Sequence, residues 1–195
     1  MARKTGTAKN DLLTGGSSDD QLFGLAGGDV LIFDAMDSFD GGTGSDTLRV
    51  TGAGRVAALT TFSSGRLAGI EVLDLAASGA QKAVLDATTI GALTSGGNFL
   101  RVEGTASDTL QLIGAFDAEG TVELDGRSYR VFNYPPSNGA GAPVADYALT
   151  LRNNLSIFHG GFGGHAGNDA TITPAITSSS DDGYAAGPLF DQFRR

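Results

Sequence analysis

Along residues 6–49 the apolar side chains return at a fixed phase behind an acidic one. Five times in succession an Asp is followed two positions later by an apolar residue: Asp11 and Leu13, Asp20 and Leu22, Asp29 and Leu31, Asp37 and Phe39, Asp46 and Leu48. The frame is nine residues long, GTAKNDLLT from Gly6, GGSSDDQLF from Gly15, GLAGGDVLI from Gly24 and GGTGSDTLR from Gly41, with a shortened FDAMDSFD from Phe33 between the last two. A flexible Gly/Asp-rich linker has no reason to hold apolar residues in phase. Each D-x-apolar half therefore predicts a short strand whose middle side chain points inward while its neighbours point out. Each glycine-rich half predicts a turn, because glycine tolerates positive φ. Two units make one coil of a solenoid and units two apart stack, so Asp11, Asp29 and Asp46 fall in one column and Asp20 and Asp37 in another.

Carboxylates stacked at the strand spacing of about 4.8 Å repel one another unless a cation lies between them. Calcium fits such a gap, since it takes about 6 to 8 oxygen ligands at about 2.3 to 2.6 Å, backbone carbonyls included. One ion between each adjacent pair in a column gives on the order of three sites. The candidate metal residues are the acids Asp11, Asp20, Asp29, Asp37 and Asp46, with the turn residues Gly15, Gly16, Gly24, Gly27, Gly41, Gly42 and Gly44 exposing carbonyls.

These units resemble the repeats-in-toxin, or haemolysin-type, calcium-binding repeats, whose pattern is GGxGxDx(apolar)x. Gly41, Gly42, Gly44, Asp46 and Leu48 match it in full. The resemblance implies a parallel β-roll built around Ca2+, a secreted, extracellular or cell-surface location, and passage through type I export machinery. Ser18 and Leu25 stand at glycine positions, as do Thr7 and Lys9 in the first unit, and the unit from Phe33 has no glycine turn. Fewer or weaker sites than in an ideal array are expected.

Beyond the array, residues 51–67 lose the Asp period and read as a connector or a poorly formed coil. Strand signals return over Ile70–Leu75, Ala83–Asp86, Phe99–Val102, Thr109–Ile113, Thr121–Leu124, Tyr129–Phe132 and Tyr147–Leu151, short apolar or alternating runs between turn residues. Asp125-Gly126 predicts a hairpin turn. GTASDTLQL from Gly104 echoes GTGSDTLRV from Gly42, which makes Asp108 a weak candidate ligand in a coil of the same roll. The order of these strands also resembles, more loosely, the segment that follows calcium repeats in large bacterial surface adhesins, which implies a presenting role. The expected fold is all-β: a parallel β-roll (β-solenoid) over 6–50, a β-rich solenoid or small sandwich over 51–158, and an irregular Gly/Ser-rich tail over 159–195.

Composition narrows the function. A net charge of -9 opposes nucleic acid and anionic membranes as partners, and no apolar run approaches the roughly 20 residues of a membrane span. The absence of cysteine removes disulfides and thiolate sites, leaving a metal as the natural staple. Residues 1–10 carry Arg3, Lys4 and Lys9 with no apolar run behind them, so no N-terminal signal is expected, and the tail with Phe190 and Phe193 before Arg194-Arg195 is the candidate C-terminal export signal. No zinc-protease, nucleophile-elbow or phosphate-loop motif occurs, and neither Asp117/Glu119 nor Glu123/Asp125 shows a pocket, so no catalytic residue is expected. His159 and His165, with Asp169 behind them, are separated by glycines that impose no geometry. The leading expectation is a calcium-binding, non-enzymatic structural or adhesin-type module, with a surface glycan or protein as a further ligand. The alternative is a carbohydrate-active enzyme or glycan-binding module on a β-solenoid.

Overall fold

A computed structural model of the chain describes residues 1–134 except 64, 78, 96–98 and 115, together with 147–152 and 156–160. Its first eight strands are β1 (Arg3–Thr5), β2 (Leu12–Thr14), β3 (Gln21–Phe23), β4 (Ala26–Gly27), β5 (Val30–Ile32), β6 (Ser38–Asp40), β7 (Thr43–Gly44) and β8 (Thr47–Arg49). Each D-x-apolar step is one of the three-residue strands β2, β3, β5, β6 and β8, with the apolar residue in the middle. Leu22, Leu31, Phe39 and Leu48 are buried while both of their strand neighbours are only half-buried, the period of 2 expected of a one-sided sheet. β1, β3 and β6 stack in parallel on one face and β2, β5 and β8 on the other. The turns themselves ladder where β4 pairs with β7. This is a parallel β-roll, with one coil spanning 17 or 18 residues.

After Arg49 the coil lengthens to 25 residues and gains a third face. The later elements are β9 (Val56–Ala58), a short 3-10 turn (Leu59–Thr61), β10 (Leu67–Ala68), β11 (Val72–Asp74), β12 (Lys82–Asp86), α1 (Ala87–Leu93), β13 (Phe99–Glu103), β14 (Thr109–Ile113), β15 (Asp117–Leu124), β16 (Arg127–Tyr134), β17 (Tyr147–Arg152) and β18 (Ser156–Gly160). β10 extends the β1-β3-β6 face, and β9, β12, β14 and β18 form the new one. The second face runs unbroken from β2 through β5, β8, β11 and β13 to β17, then turns antiparallel through β16 and β15. After residue 66, β11, β13, β17, β16 and β15 thus lie in one sheet with β8, β5 and β2 of the roll.

Two differences from the sequence expectation have physical causes. The segment from 51 to 68 carries β9 and β10, with Ala57, Leu59 and Leu67 buried; alanine and threonine carry too little apolar signal to mark these strands. Next to β10 the chain forms α1 where a strand would stack: the Asp86 side chain accepts from the Thr89 backbone N–H at 2.7 Å, capping the helix, while Ile90 and Leu93, one turn apart, bury into the core. At the widening, Phe33, Phe39 and Phe62 pack with ring centroids about 6 Å apart, so the residue replacing a turn glycine in the short unit fills the enlarged interior. The hairpin at Asp125-Gly126 forms as expected, with both residues at positive φ (51° and 71°), the primed turn that suits strand twist. β18 runs through His159 to Gly160, whereas His165, Asp169 and the tail from 161 lie outside the described residues.

Candidate metal centre

Strand register sets the acids in two files along the edges of the roll. In the first, one carboxylate oxygen of Asp29 accepts the Asp11 backbone N–H at 2.7 Å, Asp46 accepts that of Asp29 at 2.7 Å, and Glu71 accepts that of Asp46 at 2.9 Å. In the second, Asp20 accepts from Ala2 at 2.6 Å and Asp37 from Asp20 at 2.8 Å. The two columns read from the sequence are therefore present, and Glu71 extends the first one a coil beyond them. That residue escapes a periodic reading because it lies 25 residues on, outside the nine-residue frame.

What the second carboxylate oxygen does divides the acids into two groups. Asp11 Oδ2 accepts from the backbone N–H and hydroxyl of Thr7 at 2.6 and 2.8 Å, and Asp20 Oδ2 accepts from Gly16 N–H at 2.6 Å. Asp108, on the third face, repeats the scheme: one oxygen takes the Gln81 N–H at 2.8 Å and the other takes the N–H and hydroxyl of Thr105 at 2.7 and 2.8 Å. A threonine thus completes the shell of Asp11 and of Asp108. Asp29, Asp37 and Asp46 are each fully buried, and among the described residues their Oδ2 atoms are the buried carboxylate oxygens with no hydrogen-bond partner. A buried, uncompensated carboxylate costs several kcal/mol, about 3 to 5 when a partner is removed, which makes these three oxygens the candidate cation ligands.

The surrounding atoms fit one. A Cβ on Gly24 would stand 2.3 Å from both Asp29 Oδ2 and the Gly41 carbonyl, and one on Gly41 would stand 2.0 Å from the Gly69 carbonyl and 2.5 Å from Asp46 Cβ. The missing methyl is what lets an acid and a carbonyl of the next coil share this space. In the second file a Cβ on Gly15 would stand 2.0 Å from Asp37 Oδ2, so the short unit sends its carboxylate back toward the preceding coil. Gly27 and Gly44 face each other in the β4–β7 ladder, and Gly42 lies against the Leu25 carbonyl. Leu25, at a glycine position, still adopts φ 82°, beside the 97° of Gly42 in the next coil. No three His, Cys, Asp or Glu side chains converge among the described residues, so an ion held here would draw most of its ligands from main-chain carbonyls. Hard oxygens of this kind suit calcium over a transition metal.

Electrostatics agree. Burial first, then the carboxylates of Asp29, Glu71 and Asp40, hold the Asp46 carboxyl above its ordinary range, and burial does the same at Asp37, aided by Asp34 and Asp20. Asp20, whose oxygens take the amides of Gly16 and Ala2, is held below it. The second file ends on a built-in cation: Arg66 lies 4.2 Å over the Phe62 ring and donates to the carbonyls of Ala35 and Asp37. Among the described residues no helix is long and apolar enough to cross a membrane.

Comparison with curated proteins and with solved structures gave no match. Comparison with protein-family models matched residues 5–31 and 33–50 to the RTX calcium-binding nonapeptide repeat, in four copies. The segment that forms the two columns is thus similar to RTX repeats, a calcium-binding repeat family.

Proposed function

We propose that the chain is a calcium-folded, secreted structural or adhesin-type module in which Asp29, Asp37 and Asp46 each hold an ion together with carbonyls of the neighbouring glycine turns. The observation that supports this is the trio of buried carboxylate oxygens without a hydrogen-bond partner among the described residues. An ion that binds only the folded state stabilises it by about 2.7 kcal/mol at a hundredfold excess over Kd. Three such sites amount to about 8 kcal/mol, comparable with the whole stability of an ordinary domain, about 5 to 15 kcal/mol. Calcium therefore decides whether the roll folds. Low calcium inside a cell keeps the chain unfolded and fit for type I export, and the millimolar calcium outside, where modules with Kd of about 10⁻⁴ to 10⁻³ M operate, folds it. The role is structural or presenting rather than catalytic. Circular dichroism of the full chain in chelator and then in calcium, beside calorimetric titration, tests the reading. The expected result is a gain of β signal with about three ions bound; a spectrum indifferent to calcium sinks it.

A further inference from the structure

We propose that Glu71, which lies beyond the nonapeptide repeats, is a ligand of the calcium ion at Asp46 and that this ion staples the roll to the three-faced solenoid; the proposal rests on the calcium reading above. Register carries the first part of the argument. Ala68 lies opposite Asp40 and Val72 opposite Thr47, so Gly69 follows over Gly41 and Glu71 over Asp46. The six residues 41–46 of the glycine turn are replaced here by the three residues 69–71. Both ends of the turn keep their chemistry, a glycine carbonyl and an acid, while the middle is reduced to the buried Ile70. The extra methylene of glutamate, relative to aspartate, spans the altered path, and Glu71 Oε2 reaches the Asp46 N–H at 2.9 Å.

The second part is the match between successive sites. Around Asp29 the next coil offers Asp46, which accepts the Asp29 amide, and the Gly41 carbonyl, 2.3 Å from where a Cβ on Gly24 would stand. Around Asp46 the next coil offers Glu71, which accepts the Asp46 amide, and the Gly69 carbonyl, 2.0 Å from where a Cβ on Gly41 would stand. Asp46 Oδ2 is buried at this place without a partner. With Oε2 engaged by the amide, Oε1 of Glu71 is the oxygen offered to the ion. One coil further the register puts the buried, apolar Leu100 over Glu71, so the file of acids ends here. The ion draws ligands from the last repeat and from the first coil of the three-faced segment, and its binding seats one on the other.

The test is calorimetric titration and calcium-dependent circular dichroism of the full chain, as wild type, Glu71→Gln and Glu123→Gln. Glutamine keeps an acceptor for the Asp46 amide and removes the charge, and Glu123, an exposed hairpin acid, controls for net charge. Glu71→Gln is expected to weaken one ion about tenfold or more, since ligand charge tunes calcium affinity, to raise the calcium midpoint of the β signal, and to regain the wild-type spectrum at higher calcium. Glu123→Gln is expected to titrate as wild type. The proposal is overturned if Glu71→Gln keeps the wild-type stoichiometry and midpoint, or if Glu123→Gln shifts them equally. It is also overturned if Glu71→Gln fails to fold at any calcium level, because excess ion offsets a weakened ligand. A wild-type chain that binds no calcium instead defeats the reading on which the proposal rests.

Discussion

The two-faced roll and the three-faced solenoid share one continuous sheet and close their turns by opposite means. In the solenoid the acids find protein partners: Asp108 in Thr105 and Gln81, Glu103 in Tyr129 and Arg101, Asp86 in Thr89, and Asp74 in Arg49 at 2.7 Å. In the roll, Asp29, Asp37 and Asp46 each keep a buried oxygen that no group among the described residues satisfies. The same stacking of short strands is thus completed by hydrogen bonds in the solenoid and at Asp20, whose oxygens take the Ala2 and Gly16 amides, and left incomplete at these three roll acids. Asp11 lies on the roll side but follows the solenoid rule, because Thr7 supplies donors where the repeat has a glycine.

Substitutions can break this comparison, and the largest effect is steric. At Gly44, with φ 137°, a Cβ would stand 1.6 Å from the Gly27 carbonyl, whereas at Gly54, with φ 71°, it would meet nothing within 4 Å. Gly44→Ala is expected to cost about 3 kcal/mol or more, and Gly54→Ala about 1 to 2 kcal/mol from its left-handed backbone alone. Thermal unfolding in saturating calcium measures both. Next come the acids. Asp46→Asn should lose about 2.7 kcal/mol in a hundredfold calcium excess and gain stability in chelator, where it removes an unpaired buried charge. Asp108→Asn should lose about 1 to 2 kcal/mol by the same amount in both conditions. Equal behaviour of the two variants would erase the distinction between the regions.

Acidity sharpens the comparison further. The carboxyls of Asp37 and Asp46 are held above the ordinary range, so the calcium-free folded state keeps protons that the unfolded chain has released. Its stability therefore falls as pH rises through that window. In chelator the β signal should strengthen as pH falls from neutral toward the ordinary carboxylate range, while the calcium-loaded protein should weaken, as protons displace ions. Asp20, held low by two amides, contributes stability above the ordinary carboxylate range that is lost only in stronger acid. The smallest effect is expected at Leu25, exposed and at φ 82°, where Leu25→Gly should gain about 1 kcal/mol by relieving a left-handed backbone, read as a rise in melting temperature.

The roll was legible in the sequence because its information is local: an acid, a step, an apolar residue, and a turn rich in glycine. The partition of the acids was only half legible. Thr7 was visible as a departure from the repeat, but its donation to Asp11 is a matter of geometry, and Thr105 serves Asp108 from three residues away instead of four. The third face was hidden because Val56–Ala58 announces itself weakly and the widening depends on Phe33, Phe39 and Phe62 meeting across distant segments. The helix at Ala87–Leu93 contains two threonines and a glycine, poor helix formers, and exists through its Asp86 cap and the burial of Ile90 and Leu93.

The amide-to-carboxylate links along the first file, Asp11 to Asp29, Asp29 to Asp46 and Asp46 to Glu71, have a consequence for how the sites fill. Each acid is oriented by an amide of the coil before it, and that amide belongs to the neighbouring acid of the same file. On the calcium reading proposed above, loading one ion pre-aligns the next, and the array is expected to behave as a nearest-neighbour chain in which occupancy propagates coil by coil. Its calcium titration should be cooperative, steeper than independent sites allow, so that a modest change in calcium switches the whole file at once.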